Sequence, residues 1–354
     1  MEGQLGFGRF ADGEVRSPTT PAQQPSAKPG RLQEIDVAKG IGILLVVIGH
    51  LVAVRSQGPV GYAMLKTWIY QYHMPFFMCL SGFTFERYVR KYRDQPFRSF
   101  ALARADRLLI PFVVFGTLIA GMKLLAANFV AVDDSATSVS QTVYEIFIDT
   151  RNSPVLSIWY VWVLFVYSIV MFPVLKAGPR AIAMGAAVSV AAYVLTFTDA
   201  LYIDRIATYS IFFISGIYLS MAYAKFTEVQ RPIALVLLGG GFAAASAVAV
   251  HYNVNNKPLM LLVSVFAIPF LWYTALSATR PIKQFLLLLG RNSMAIYLIN
   301  TLVIGVVKIA YGKLFHGAGF LGFALAATFA AILVPIVISH YLRLYAPNFG
   351  KYLA

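Results

Sequence analysis

Along most of this chain the apolar residues neither alternate nor keep to one helical stripe. They run in blocks about as long as a bilayer is thick, separated by short charged connections. A helix needs about 20 mostly apolar residues to cross the hydrocarbon core. That length predicts ten helices, at roughly 37–56, 65–85, 108–128, 156–175, 180–198, 208–224, 232–250, 258–277, 293–311 and 320–342. The expected fold is all-α, a polytopic membrane helical bundle of about ten transmembrane helices. Residues 1–30 are rich in Gly, Pro, Ser, Thr and Gln and read as a disordered polar tail. No cleavable signal is visible in that tail, so the first helix is expected to act as an uncleaved insertion signal. The transmembrane domain takes residues 31–345, and 346–354 reads as a short cytoplasmic tail. No inverted repeat of the transporter kind is evident.

Composition agrees with a lipid environment. Hydrophobic residues make up 59% of the chain and charged residues 12%, whereas a soluble domain is about a quarter charged. A net charge of +14 would suggest nucleic acid for a soluble protein. Here the basic residues gather in the connections, so no nucleic-acid partner is expected. Connection 86–107 carries Arg87, Arg90, Lys91, Arg93, Arg98, Arg104 and Arg107, whereas 129–155 carries Asp133, Asp134, Glu145 and Asp149 against Arg151. The first belongs inside and the second outside. Lys176, Arg180, Lys225, Arg231, Arg280, Lys283 and Arg291 then fall inside, and Asp199 and Asp204 outside. Both termini are expected in the cytoplasm. A single cysteine, Cys79, excludes an intramolecular disulfide and a multi-cysteine metal site, and no metal is expected.

The segment RLQEIDVAKGIGILLVVIGHL concentrates the candidate chemistry. Lys39 and His50 are 11 residues apart, about 20° apart around a helix and about 16 Å apart along it. Asp36 falls on roughly the same face. One stripe thus carries a carboxylate and an ammonium at one mouth and an imidazole deep in the bilayer. Gly40, Gly42 and Gly49 leave room for a neighbouring helix or a ligand. His50 reads either as a neutral histidine bonded between helices or as a base or nucleophile. Lys39 suits a site or simple snorkelling, and Asp36 suits a site or a helix start. His73, on the returning helix, should reach a depth close to that of His50, as a partner in a site or as an interfacial histidine. Pro75 should bend that helix. Ser81 and Gly82 offer a small contact surface.

These residues resemble the acyltransferase-3 family of membrane O-acyltransferases. The spacing from Lys39 to His50 looks like that family's first-helix motif. HMPFFMCLSGFTF, RADRLLIPF, SIWYVWVLF and LGRNSMAIYLIN resemble later blocks, in order. The late block often closes on histidine in the family and closes here on Asn300. DVAKGIGILLVVIGH and HMPFF are similar to the fucose 4-O-acetylase-like branch, which includes exopolysaccharide-modifying enzymes.

The resemblance implies a multi-pass protein of the bacterial inner membrane. It implies acetyl-CoA or another acyl-CoA as co-substrate and a hydroxyl of a saccharide or lipid-linked saccharide as acceptor. Membrane lipid and the polysaccharide-synthesis machinery are the other implied partners. On this reading His50, Lys39, Asp36 and His73 are the catalytic set. Arg104, Arg107, Arg291 and Ser81 would bind the donor, whose pantetheine arm would follow the glycine face toward His50. General-base and acyl-histidine chemistry both stay open, with His73, Tyr160 and Trp159 as oxyanion donors. A transporter or flippase of a lipid-linked saccharide is the rival reading.

Overall fold

A computed structural model describes residues 32–52, 58–127, 138–228, 231–252, 256–315 and 319–353; the expected tail 1–30 lies outside them. Every regular element among the described residues is helical. In chain order these are α1 (Gln33–Gly49), α2 (Val60–Tyr70), α3 (His73–Lys91), α4 (Phe97–Ala126), α5 (Val139–Phe147), α6 (Trp159–Ala177), α7 (Pro179–Val194) and α8 (Ile203–Met221), then α9 (Tyr223–Glu228), α10 (Arg231–His251), α11 (Lys257–Ser277), α12 (Arg280–Arg291), α13 (Ser293–Leu314), α14 (Phe320–Tyr345) and α15 (Pro347–Gly350). Among the described residues seven stretches are long and apolar enough to cross a membrane: α4, α10, α11, α13, α14, and α6 and α8 each with the short 3-10 turn before it.

The other three expected spans are helical but fall short of that standard. α1 ends at Gly49, immediately before His50, because polar groups from the next helix take over its last carbonyls. α7 has 16 residues. The expected helix 65–85 is two helices, α2 and α3, broken at Gln71–Tyr72. Pro75 therefore does not bend a continuous helix. It sits in the first turn of α3, where a missing N–H costs nothing. The second half of α3 carries Glu86, Arg87, Arg90 and Lys91, which lower its hydropathy. One helix was read as a connection: α12 buries Leu286 and Leu289, leaves Arg280 and Arg291 exposed and Lys283 half-buried, the pattern of an interfacial amphipathic helix.

Two glycine-mediated crossings set the frame. A Cβ on Gly40 would run into the Leu286 carbonyl of α12, and one on Gly290 into the Asp36 carbonyl of α1. In the same way Gly82 of α3 meets Phe213 of α8, and Gly216 of α8 meets Cys79 of α3. Without a hydrophobic driving force between helices in lipid, this backbone approach is what holds them together. α14 lies at the periphery, with Leu321, Leu325, Phe329 and Leu333 exposed at four-residue spacing as a lipid-facing stripe. The closing residues are folded: Lys351 Nζ lies 2.8 Å from an Asp106 carboxylate oxygen on α4, and Arg343 donates to the Leu353 carbonyl at 3.0 Å.

Candidate active site

α1 delivers His50 just beyond its last turn. The His50 backbone N–H still reaches the Val46 carbonyl at 3.1 Å, but the carbonyls that follow have no helical partner. α2 supplies them. Tyr62 hydroxyl donates to the Ile48 carbonyl at 2.9 Å, Tyr70 hydroxyl lies 3.4 Å from the Gly49 carbonyl, and Lys66 Nζ donates to Val52 at 3.2 Å. The helix end that carries the imidazole is thus held by three side chains of one neighbour.

The ring itself is held by α13. Asn300 is fully buried, and its Nδ2 donates to the carbonyls of Ile296 and Tyr297, both at 2.8 Å. Those bonds occupy the amide nitrogen, so the group facing His50 must be the Oδ1 acceptor. His50 Nδ1 lies 3.1 Å from it, and so carries the proton and donates. Neutral His50 then keeps its lone pair on Nε2. Nothing in the sequence reading assigned Asn300 a task. His73 is arranged alike, its Nδ1 donating to the Ile69 carbonyl at 2.8 Å beneath the Tyr70 ring, 4.9 Å away.

Both histidines line one chamber of about 810 Å³, together with Trp159, Arg205, Tyr209 and Tyr297. This volume is ample for a saccharide unit or the acyl end of a thioester. Tyr297 hydroxyl accepts from the Tyr160 backbone N–H at 3.3 Å, and Tyr160 hydroxyl lies 2.5 Å from Ser81 Oγ. Ser81 therefore does not reach the chamber; it buttresses the tyrosine behind it. Arg205 sits over the Trp159 ring at 4.8 Å and the Tyr202 ring at 5.6 Å. Arg205 and Tyr209 were missed because they straddle the start of the expected span 208–224. The available signal was an arginine beside an aspartate at the edge of an apolar run.

The other expected site residues lie elsewhere. Asp36 and Lys39 occupy the opposite end of α1 and do not line the chamber. Asp36 is buried against Gly290, which places Arg291 close to the start of α1; Lys39 is half-buried. Arg104 is spent on aromatic faces, 4.5 Å from the Tyr88 ring and 5.4 Å from those of Phe85 and Phe100. Arg107 and Arg291 are exposed. The glycine face of α1 is also filled by protein: Gly40 by α12, Gly42 by the Phe77 ring and Gly49 by Tyr70. A pantetheine arm has no groove there to follow.

Comparison with known proteins supplies the framework for this site. Nodulation protein NolL of Mesorhizobium japonicum is 30% identical over 159 residues, a stretch covering 44% of this chain and 39% of that protein. The chain thus matches less than half the length of this relative. No solved structure matches it. A family profile described as an acyltransferase domain matches residues 32–340, which takes in α1 through most of α14 and every residue lining the chamber. On that match the chain belongs to the acyltransferase-3 family.

Proposed function

We propose that this protein is an O-acyltransferase of the bacterial inner membrane. It moves an acyl group, acetyl in the simplest case, from acyl-CoA to a hydroxyl of a cell-surface or exopolysaccharide sugar or its lipid-linked precursor. The observation that carries this reading is the Asn300–His50 pair, which leaves an oriented Nε2 at a chamber large enough for a sugar. Loop charge supports an orientation with both termini cytoplasmic and about ten membrane passes, the three shorter helices included. The Asp36 end of α1 then faces inward and the chamber opens outward.

In this mechanism the acceptor hydroxyl hydrogen-bonds to His50 Nε2. As its oxygen attacks the thioester carbonyl, the proton passes to Nε2, which is general-base catalysis. The tetrahedral intermediate expels the coenzyme A thiolate, and the imidazolium returns the proton to sulfur. The products are the O-acyl sugar and coenzyme A. His73 Nδ1–H is already engaged, so an oxyanion donor comes from elsewhere, and the Tyr297 and Tyr209 hydroxyls on the chamber are suited to that task. Lys39 and Arg291, on the two helices that meet at the inner end of α1, suit the donor's phosphates.

The test is a comparison of envelope glycans by mass spectrometry in cells carrying no gene, the wild-type gene and His50→Ala. One acetyl or succinyl per repeat should appear with wild type alone and identify the donor. An unchanged glycan together with failure of the purified protein to bind acetyl-CoA would favour the lipid-linked saccharide flippase instead.

A further inference from the structure

Taken with the proposed orientation, the chamber's charge runs against the rule that orders the rest of the chain. Cations should concentrate on the cytoplasmic side, yet the chamber beside His50 is lined by Lys123, Arg205, Lys257, Lys308 and Lys313 against Asp204. Orientation during insertion gains nothing from cations at that end.

Arg205 points most sharply to what the chamber holds. Two neighbouring carboxylates are committed to other cations: Asp204 lies 3.3 Å from Lys257 Nζ, and Asp199 lies 2.5 Å from Arg151 Nε. Among the described residues nothing forms an ion pair or hydrogen bond with Arg205. Its guanidinium is held instead by the faces of Trp159 and Tyr202. Stacking fixes the plane of a guanidinium while leaving the N–H donors on its edge available. Arg205 is half-buried, and with those carboxylates bound to other cations its charge is only weakly offset, whereas natural proteins tend to keep such groups paired. An edge of fixed donors matches a carboxylate or phosphate bidentately.

Resting on the acyl-transfer reading above, we propose that Arg205 is a specificity residue for the acceptor: it pairs with a carboxylate or phosphate carried by the saccharide, so the substrate of this protein is an acidic glycan or a phosphate-linked one. The lysines at the rim raise the local concentration of such an anion. The sugar hydroxyl is then presented to His50 from an anchored anionic group. The donor's own phosphates are the competing source of the same chemistry. They are disfavoured because the chamber is at the end of α1 remote from the inner face.

The experiment uses the full chain in lipid nanodiscs, with wild type, Arg205→Gln and Arg205→Lys compared by calorimetry against glucuronate, glucose 6-phosphate, glucose and acetyl-CoA. Wild type should bind one or both acids at least ten-fold more tightly than glucose. Arg205→Gln should lose that preference, Arg205→Lys should keep part of it, and acetyl-CoA affinity should be the same in all three. Equal binding of acids and glucose by wild type overturns the proposal. So does an acid preference that survives Arg205→Gln, or a loss confined to acetyl-CoA. Should Arg205→Gln fail to fold, Arg205→Lys decides: wild-type acid preference in it overturns the bidentate role, and a reduced one supports it. Failure of acyl transfer itself is separate, since it appears as no acetyl-CoA binding by wild type whatever the acids do.

Discussion

Removing the Asn300 side-chain oxygen tests the heart of the site, and Asn300→Leu does so at similar volume. Asn300 is fully buried, and its own amide donors bond only to carbonyls within α13. Losing them costs the helix little, since both carbonyls also belong to the helical ladder. What is lost is the 3.1 Å bond that keeps the proton on His50 Nδ1. His50 Nδ1–H is then left facing a leucine, and the alternative tautomer, with its lone pair turned away from the chamber, becomes accessible. An interaction of about 1–3 kcal/mol is removed when a buried donor loses its partner. If all of it is expressed in the transition state, kcat falls by roughly 5- to 150-fold. A histidine, which the family often carries at this position, has a ring nitrogen able to accept the same bond, so Asn300→His should recover much of the rate. The assay is transfer of radiolabelled acetyl from acetyl-CoA by the purified variants, with size-exclusion profiles as the check on folding. The expected pattern is a fall in kcat at unchanged KM for acetyl-CoA in Asn300→Leu. A well-folded Asn300→Leu enzyme with wild-type kcat would refute the assignment of Nε2 as the working nitrogen.

Three further outcomes follow from the same geometry. His50→Ala should lower kcat by about 10²–10⁴, whereas His73→Ala should cost far less, since its Nδ1 serves the Ile69 carbonyl; equal losses in the two variants would show that the imidazoles act as a pair. Gly290→Ala drives a methyl into the Asp36 carbonyl and should destabilise the α1–α12 crossing by about 1–3 kcal/mol, read as a lower thermal midpoint in detergent; an unchanged midpoint would mean that the two helices part at no cost. Tyr62→Phe removes the hydroxyl over the Ile48 carbonyl and should cost about 1 kcal/mol of stability with a modest loss of kcat; a full-rate, full-stability variant would show that the end of α1 needs no cap from α2.

The helical class, the membrane setting and most spans were legible because apolar run length is a one-dimensional signal. α10, α11, α13 and α14 match their expected positions within a few residues for that reason. Segment 65–85 failed because hydropathy does not register a break, and Gln71–Tyr72 is as compatible with a helix interior as with its end. α12 was invisible to a search for spans because it is amphipathic and lies between two of them. His50 and His73 could be named from sequence as unusual ionisable groups in apolar runs. Asn300 could not be linked to them, since a contact between residues 250 apart in sequence leaves no trace in one chain. The surroundings of Arg104 and of the glycine face were hidden for a related reason: sequence gives charge and space, but neighbours decide whether aromatic rings and helices take them up first.

The framework divides the chamber into a fixed side and a spacious one. His50 follows a helix pinned at Gly40 and Gly290, packed on Phe77 at Gly42 and capped by α2. His73 opens a helix locked to α8 through Gly82 and Gly216. Placing reactive groups on the ends of immobilised helices fixes their position far better than a loop would, which general-base catalysis requires. The side formed by α4 and α13 differs. Gly305 and Gly312 of α13 line the chamber, and a Cβ added to either meets nothing within 4 Å. Lys123, Lys308 and Lys313 lie on that same side. Rigidity thus belongs to α1, α3 and the Asn300 turn of α13, and space and positive charge to α4 and the later turns of α13. A glycan carrying negative charge would enter along the second side and meet the base on the first, so changes to α13 lysines should alter acceptor affinity while leaving the chemical step intact.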